Sequence, residues 1–148
     1  GRTDDVLSSS KQGGAVRISD DIDITVDGSV SRVSLGELSE WVRDRGIALE
    51  LCPTSNLQTD AFARFGNDMT DHPFDLLYQL GFRVTVSTDN RLMSGTTLSR
   101  ELAVLTEVFD YTVDDILEFQ LNAAESAFLP ADDRAQLVAA ITRGFDDA

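Results

Sequence analysis

The chain has 148 residues, 12 of them basic and 26 acidic, for a formal net charge of −14. That balance argues against duplex DNA, RNA or an anionic membrane as partner, because those surfaces reward Lys and Arg. One cysteine excludes an internal disulfide framework. No apolar run approaches the ~20 residues of a membrane span and no signal peptide is visible, so a cytoplasmic location is the default expectation.

Residues 1–14 are rich in Gly, Ser and Asp and read as a flexible tail or loop, with 15–148 as the folded segment. Ala15-Val16-Arg17-Ile18 is a short strand by pattern. An acidic, extended stretch leads to Asp27-Gly28-Ser29, a turn signal that closes a small hairpin with residues 30–33. Ser34, with Glu37 three residues on, has the spacing of a capping box. It predicts a helix with Leu35, Leu38, Trp41 and Val42 on one face and a stop at Gly46. Residues 47–52 form the next strand, and 56–70 read as a long loop without periodicity. Pro73 opens a helix carrying Phe74, Leu76, Leu77 and Leu80, and Gly81 ends it. A third main strand spans 82–88. Helices follow at 98–109, with Leu102, Leu105 and Val108 or Phe109 inward, then at 113–127 and 131–141. This strand–helix alternation is the signature of parallel α/β architecture.

Val84-Thr85-Val86-Ser87-Thr88 is rich in β-branched residues and ends on Asp89-Asn90. A carboxylate at the carboxyl end of an α/β strand lies where such folds place their chemistry. Taken alone, Asp89 fits a metal ligand or the cap of the following turn, and Asn90 fits a hydrogen-bond donor or a turn residue. Leu49-Glu50-Leu51-Cys52-Pro53-Thr54-Ser55-Asn56 has the same form, an apolar strand ending in small polar groups. Cys52 lies before Pro53 with no basic neighbour and reads as a buried, inert thiol. His72, the single histidine, precedes Pro73 at a helix start and is expected to face solvent.

Leu51-Cys52-Pro53-Thr54-Ser55-Asn56-Leu57-Gln58-Thr59, His72-Pro73 and the run from Ser87 to Thr96 together resemble the seventh and eighth strands of the adenosine deaminase family. Asn122-Ala123-Ala124-Glu125-Ser126-Ala127-Phe128 resembles the helix near that family's carboxyl terminus, and order and spacing agree over roughly 16–145. The resemblance implies the carboxyl-terminal part of a (β/α)8 TIM barrel: about three strands plus the terminal helices. A whole barrel takes about 250 residues, and this chain starts at Gly1 without an initiator Met, so it reads as a fragment or a shortened relative.

The implied activity is zinc-dependent hydrolysis of adenosine to inosine and ammonia, with Asp89 as a zinc ligand and Asn90 as a contact to N7 of the purine. A second Asp is commoner in the family where Asn90 stands, but an amide donates to N7 without needing protonation. The family's remaining machinery is a His-x-His, a third His and a Glu proton shuttle, and one histidine cannot supply it. Gly14 stands where a further family His would lie. The expectation is therefore a chain that is inactive alone, awaits a missing amino-terminal half, or forms a homo-oligomer. Two alternatives stay open: a non-catalytic half-barrel acting as an assembly module, and a deaminase of a related purine such as adenine or a modified adenosine.

Overall fold

The computed structural model describes residues 22–26 and 29–147. The expected strand at 15–18, the domain boundary at 14–15 and Gly14 lie outside the described residues. Strand β1 (Ile22–Val26) pairs antiparallel with β2 (Ser29–Val33), as the hairpin pattern predicts. Helix α1 (Glu37–Asp44) follows. Strand β3 (Leu49–Leu51) leads into helix α2 (Pro53–Gln58), a 3-10 turn at Met69–Asp71 and helix α3 (Phe74–Gln79). Strand β4 (Val84–Val86) then precedes a short helix α4 (Arg91–Ser94) and three longer ones: α5 (Leu98–Phe109), α6 (Val113–Ser126) and α7 (Ala131–Asp146).

The pair that places the site is β3 with β4, parallel, with Leu49 opposite Val84 and Leu51 opposite Val86. Leu49 N–H donates to the Arg83 carbonyl and Ser87 N–H to the Leu51 carbonyl, both at 2.8 Å. All three residues of β4 are buried, as a strand covered on both faces must be. Helix α6 lies against β4 and α7 against α6. Asn122 and Glu125 of the α6 motif explain that docking. Asn122 Nδ2 donates to the Val84 carbonyl at 3.1 Å, and Glu125 meets Arg83 at 2.8 Å. The second pair is exposed enough to contribute little stability, whereas the first satisfies a buried backbone acceptor.

Several expectations need correction. The Ser34 capping box does not form: α1 starts at Glu37 with Gly36 as its cap and no side-chain cap bond. Leu35 is drawn into the core while still in the extended segment, which delays the first helical turn. Of the expected inward face of α1, Leu35 is buried and Val42 packs against the core, but Leu38 and Trp41 are exposed. Trp41 instead carries the Arg45 guanidinium, 5.2 Å from its ring. The stretch read as loop holds the second half of α2 and the start of the 3-10 turn, and both parallel strands are shorter than their apolar runs.

The core is an aromatic cluster around Phe119, which has no exposed surface. Its ring meets Phe74 at 5.1 Å, Tyr78 at 4.9 Å and Tyr111 at 5.2 Å, each edge to face. Such pairs add to the stabilisation from burial alone. Phe119→Ala should cost about 3–5 kcal/mol, the usual range for a large aromatic removed from a packed core. The denaturation midpoint by urea checks this, and an unchanged midpoint would contradict the placement.

His72, expected at the surface, is buried at 3% exposure. Its Nδ1 accepts the Phe74 N–H at 3.1 Å, so the proton of the neutral ring sits on Nε2, which donates to Asn56 Oδ1 at 3.2 Å. Phe62 packs edge-on against it at 4.7 Å. Burial pushes the imidazole down from 6.5 to about 4, and nearby Glu101 opposes that only in part. A proton on Nδ1 would also face the Phe74 N–H, donor against donor. Between pH 4 and 6.5 the unfolded chain thus binds a proton that the folded chain refuses. This contribution is complete above pH 6.5, declines as pH falls, and levels off below about 4, amounting to about 3 kcal/mol at most. Because the chain has one histidine, its ring proton NMR signals are unambiguous. They should stay in the neutral position from pH 7.5 to about 5.5 and move only near 4. A midpoint close to 6.5 would show an exposed ring.

Candidate active site

Because β3 and β4 are parallel and adjacent, the segments leaving their carboxyl ends emerge side by side. Asp89 follows β4 in a left-handed conformation, φ 53°, which Asp tolerates better than most residues. The turn swings its exposed side chain toward α2, where the buried Ser55 hydroxyl donates to Asp89 Oδ2 at 2.8 Å. Oδ1 has no partner among the described residues. Ser55 was not singled out in the sequence, yet it fixes one oxygen of the carboxylate and leaves the other open. Thr88 lends little more: its hydroxyl lies 3.3 Å from the Asp89 carbonyl.

Asn90 caps α4. Its Oδ1 accepts the N–H groups of Leu92 at 3.1 Å and Met93 at 3.2 Å. Both open readings of this residue gain physical content from that cap. The oxygen is committed to the helix, so the amide NH2 must point away from it and remains an outward donor. Gly95, φ 62°, closes α4 in the left-handed region after one turn. Leu92 and Met93 stand 93% and 81% exposed on this turn, an apolar patch on α4.

Beneath these two loops lies Glu101, fully buried, in the first turn of α5. One oxygen accepts the Thr54 N–H at 2.9 Å and the other accepts the Thr96 hydroxyl at 2.5 Å. It therefore ties the first turn of α2, which follows β3, to the connection between α4 and α5, which follows β4. A third tie runs from Gln58 Nε2 to the Ser94 carbonyl at 3.3 Å. Glu101 was missed in the sequence because its polarity suggests solvent. Its spacing of four from Leu105 and eight from Phe109, both core-facing, was the available signal.

Cys52 ends β3 as the cap residue of α2 instead of lying within the strand, and it is half-buried. Burial pushes its thiol up, and a hydrogen bond from Ser87 offsets this only partly. Little reactive thiolate is present at neutral pH. Among the described residues no three His, Cys, Asp or Glu side chains converge on a metal-sized point. A catalytic zinc normally takes three protein ligands. His72 is committed to Phe74 and Asn56 and does not join Asp89. The described residues do not hold a zinc ion by themselves; the free Asp89 oxygen suits one position of a site completed by other groups.

No helix among the described residues is long and apolar enough to cross a membrane. The adenosine deaminase family profile matches residues 5–143. An adenosine deaminase from Mycobacteroides abscessus is 52% identical over 126 residues, which are 85% of this chain but 33% of that protein. The chain thus spans a minor part of the curated relative it matches. Among solved structures, adenine deaminase from Arthrobacter aurescens superposes with a TM-score of 0.68 at 21% identity, covering 74% of this chain and 32% of that one. An amidohydrolase from Burkholderia ambifaria, solved with bound Zn, gives a TM-score of 0.64 at 24% identity, over 74% of this chain and 30% of its own. At such identities the structures speak to the fold, which is the carboxyl-terminal part of a (β/α)8 barrel. With its profile matched from 5 to 143 and half of its aligned residues shared with a curated member, this chain belongs to the adenosine deaminase family.

Proposed function

We propose that this chain is the carboxyl-terminal part of a zinc-dependent adenosine deaminase and that it does not turn over substrate alone. The observation that carries this reading is the Asp89 carboxylate at the carboxyl end of β4, with one oxygen held by Ser55 and the other open. The overall reaction adds water at C6 of adenosine and releases ammonia and inosine. Zinc, when bound, supplies a Lewis acid that acidifies water near neutral pH. The part of this chain is to hold and to orient. Asp89 offers a fixed anionic oxygen, and the hydrogen bond from Ser55 keeps it from rotating. Asn90 presents an amide donor to N7 of the purine, its orientation set by the cap it makes on α4. Leu92 and Met93 give the purine or ribose an apolar surface and shed water as it arrives.

The lone carboxylate is also why the chain is inactive by itself. Purified chain with adenosine and zinc should yield no inosine; turnover that is lost with Asp89→Ala would overturn this. The positive test is a chimera in which this chain replaces the matching segment of the Mycobacteroides abscessus enzyme, whose remaining length supplies the rest of the barrel. The chimera should deaminate adenosine, and Asp89→Ala should abolish zinc retention or activity. Asn90→Ser keeps an N-cap acceptor but lacks the amide. It should leave zinc bound and weaken catalysis by about 1–3 kcal/mol, the cost of an unpaired buried acceptor. With an adenosine analogue carrying carbon in place of N7, that difference should disappear. An equal loss with both substrates would assign Asn90 to the turn alone.

A further inference from the structure

Glu101 is the one fully buried carboxyl group among the described core residues, and the chemistry proposed above does not use it. A buried acid is costly unless both its oxygens are satisfied. Here they are, and the partners are informative because they lie on two different segments, the first turn of α2 after β3 and the connection between α4 and α5 after β4. The Thr54 N–H belongs to the segment that carries Ser55, and the Thr96 hydroxyl belongs to the segment that carries Asp89. Thr54 is adjacent to Ser55, so a shift of the α2 start moves the hydroxyl that holds Asp89 Oδ2. Thr96 follows Gly95, where α4 ends, so it anchors the far side of the turn that begins at Asp89. Glu101 itself sits on α5, a twelve-residue helix fixed in the core by Leu105. The two segments thus share a common post on a rigid element.

We infer that Glu101 is a positioning residue, which locks the start of α2 against the segment after β4 so that Ser55 meets Asp89. This deepens the proposed function and rests on it, in that the position being held is that of a metal-binding carboxylate. The Gln side chain has nearly the same shape. Its carbonyl can accept from Thr54, and its amide can donate to the Thr96 hydroxyl, which both donates and accepts. Met has similar length and offers neither bond.

The test is residue-resolved amide hydrogen exchange on this chain with Glu101→Met, Glu101→Gln and Asp89→Ala. In Glu101→Met the Thr54 amide and the amides of residues 88–97 should exchange roughly tenfold faster or more, as expected when a buried hydrogen bond is lost locally. Amides in α6 and α7 should keep their rates. Glu101→Gln should restore most of the protection, and Asp89→Ala should leave Thr54 protected, since the lock lies below that carboxylate. Unchanged exchange in Glu101→Met would overturn the inference. So would equal acceleration across α6 and α7, which would make Glu101 a general stability residue. Loss of Thr54 protection in Asp89→Ala to the extent seen in Glu101→Met would also overturn it. If Glu101→Met does not fold, Thr96→Val removes one of the two bonds with Glu101 in place. It should speed exchange at residues 94–97 and leave α6 and α7 alone; no change there would count against the lock. Zinc retention by the chimera is read separately, so the ligand role of Asp89 and the lock can fail independently.

Discussion

Two parallel strands of three residues each make few hydrogen bonds, and yet the rest of this chain is arranged by them. Leu49 donates to Arg83 and Ser87 donates to Leu51, so the strands run level and finish together. Their short length is compensated by burial. β4 is covered fully, and α6 reaches its backbone through Asn122. Phe119 on the same helix anchors the aromatic cluster, so packing and strand position depend on one helix. Were β4 to slip by one residue relative to β3, Val84 and Val86 would change faces and Asp89 would leave Ser55.

Above that pair, polar groups divide the work. Backbone handedness at Asp89 and Gly95 brackets the turn, the Asn90 side chain caps it, and Ser55, Gln58 and Glu101 tie it to its neighbour. Each tie joins α2 to the segment after β4 or to α5, across more than thirty residues of sequence, Thr96–Glu101 apart. Chain entropy opposes such contacts, and the parallel pair supports them by bringing the loop ends together in advance.

Much of the fold was legible because local preference and burial agree. Helix α5 begins and ends where its apolar spacing places it, between the Thr97 cap and the left-handed Asp110. The hairpin follows its turn signal, and α6 starts at the expected Val113, where the structure adds a capping box of Thr112 with Asp115. The failures share a cause, which is tertiary burial overriding a local pattern. Ser34 lost its capping role when Leu35 went inward. His72 was read from its place before Pro73, but its burial depends on Phe62 and Asn56, which the intervening turn brings back against it. In the candidate site Asp89 and Asn90 stood out by position at a strand end. Ser55 and Glu101 did not, since their significance lies in partners 34 and 47 residues away.

The left-handed backbone at Asp89 has a consequence for what can replace it. Two amino acids carry a carboxylate, and on charge alone they are interchangeable. The positive φ separates them, because the short Asp side chain settles there readily while Glu enjoys no such preference. A Glu would in addition carry its charge one methylene past the Ser55 hydroxyl. Variation at this position is therefore filtered first by the shape of the main chain and only afterwards by chemistry. A homologue that keeps the acid but lengthens it must also rebuild the turn.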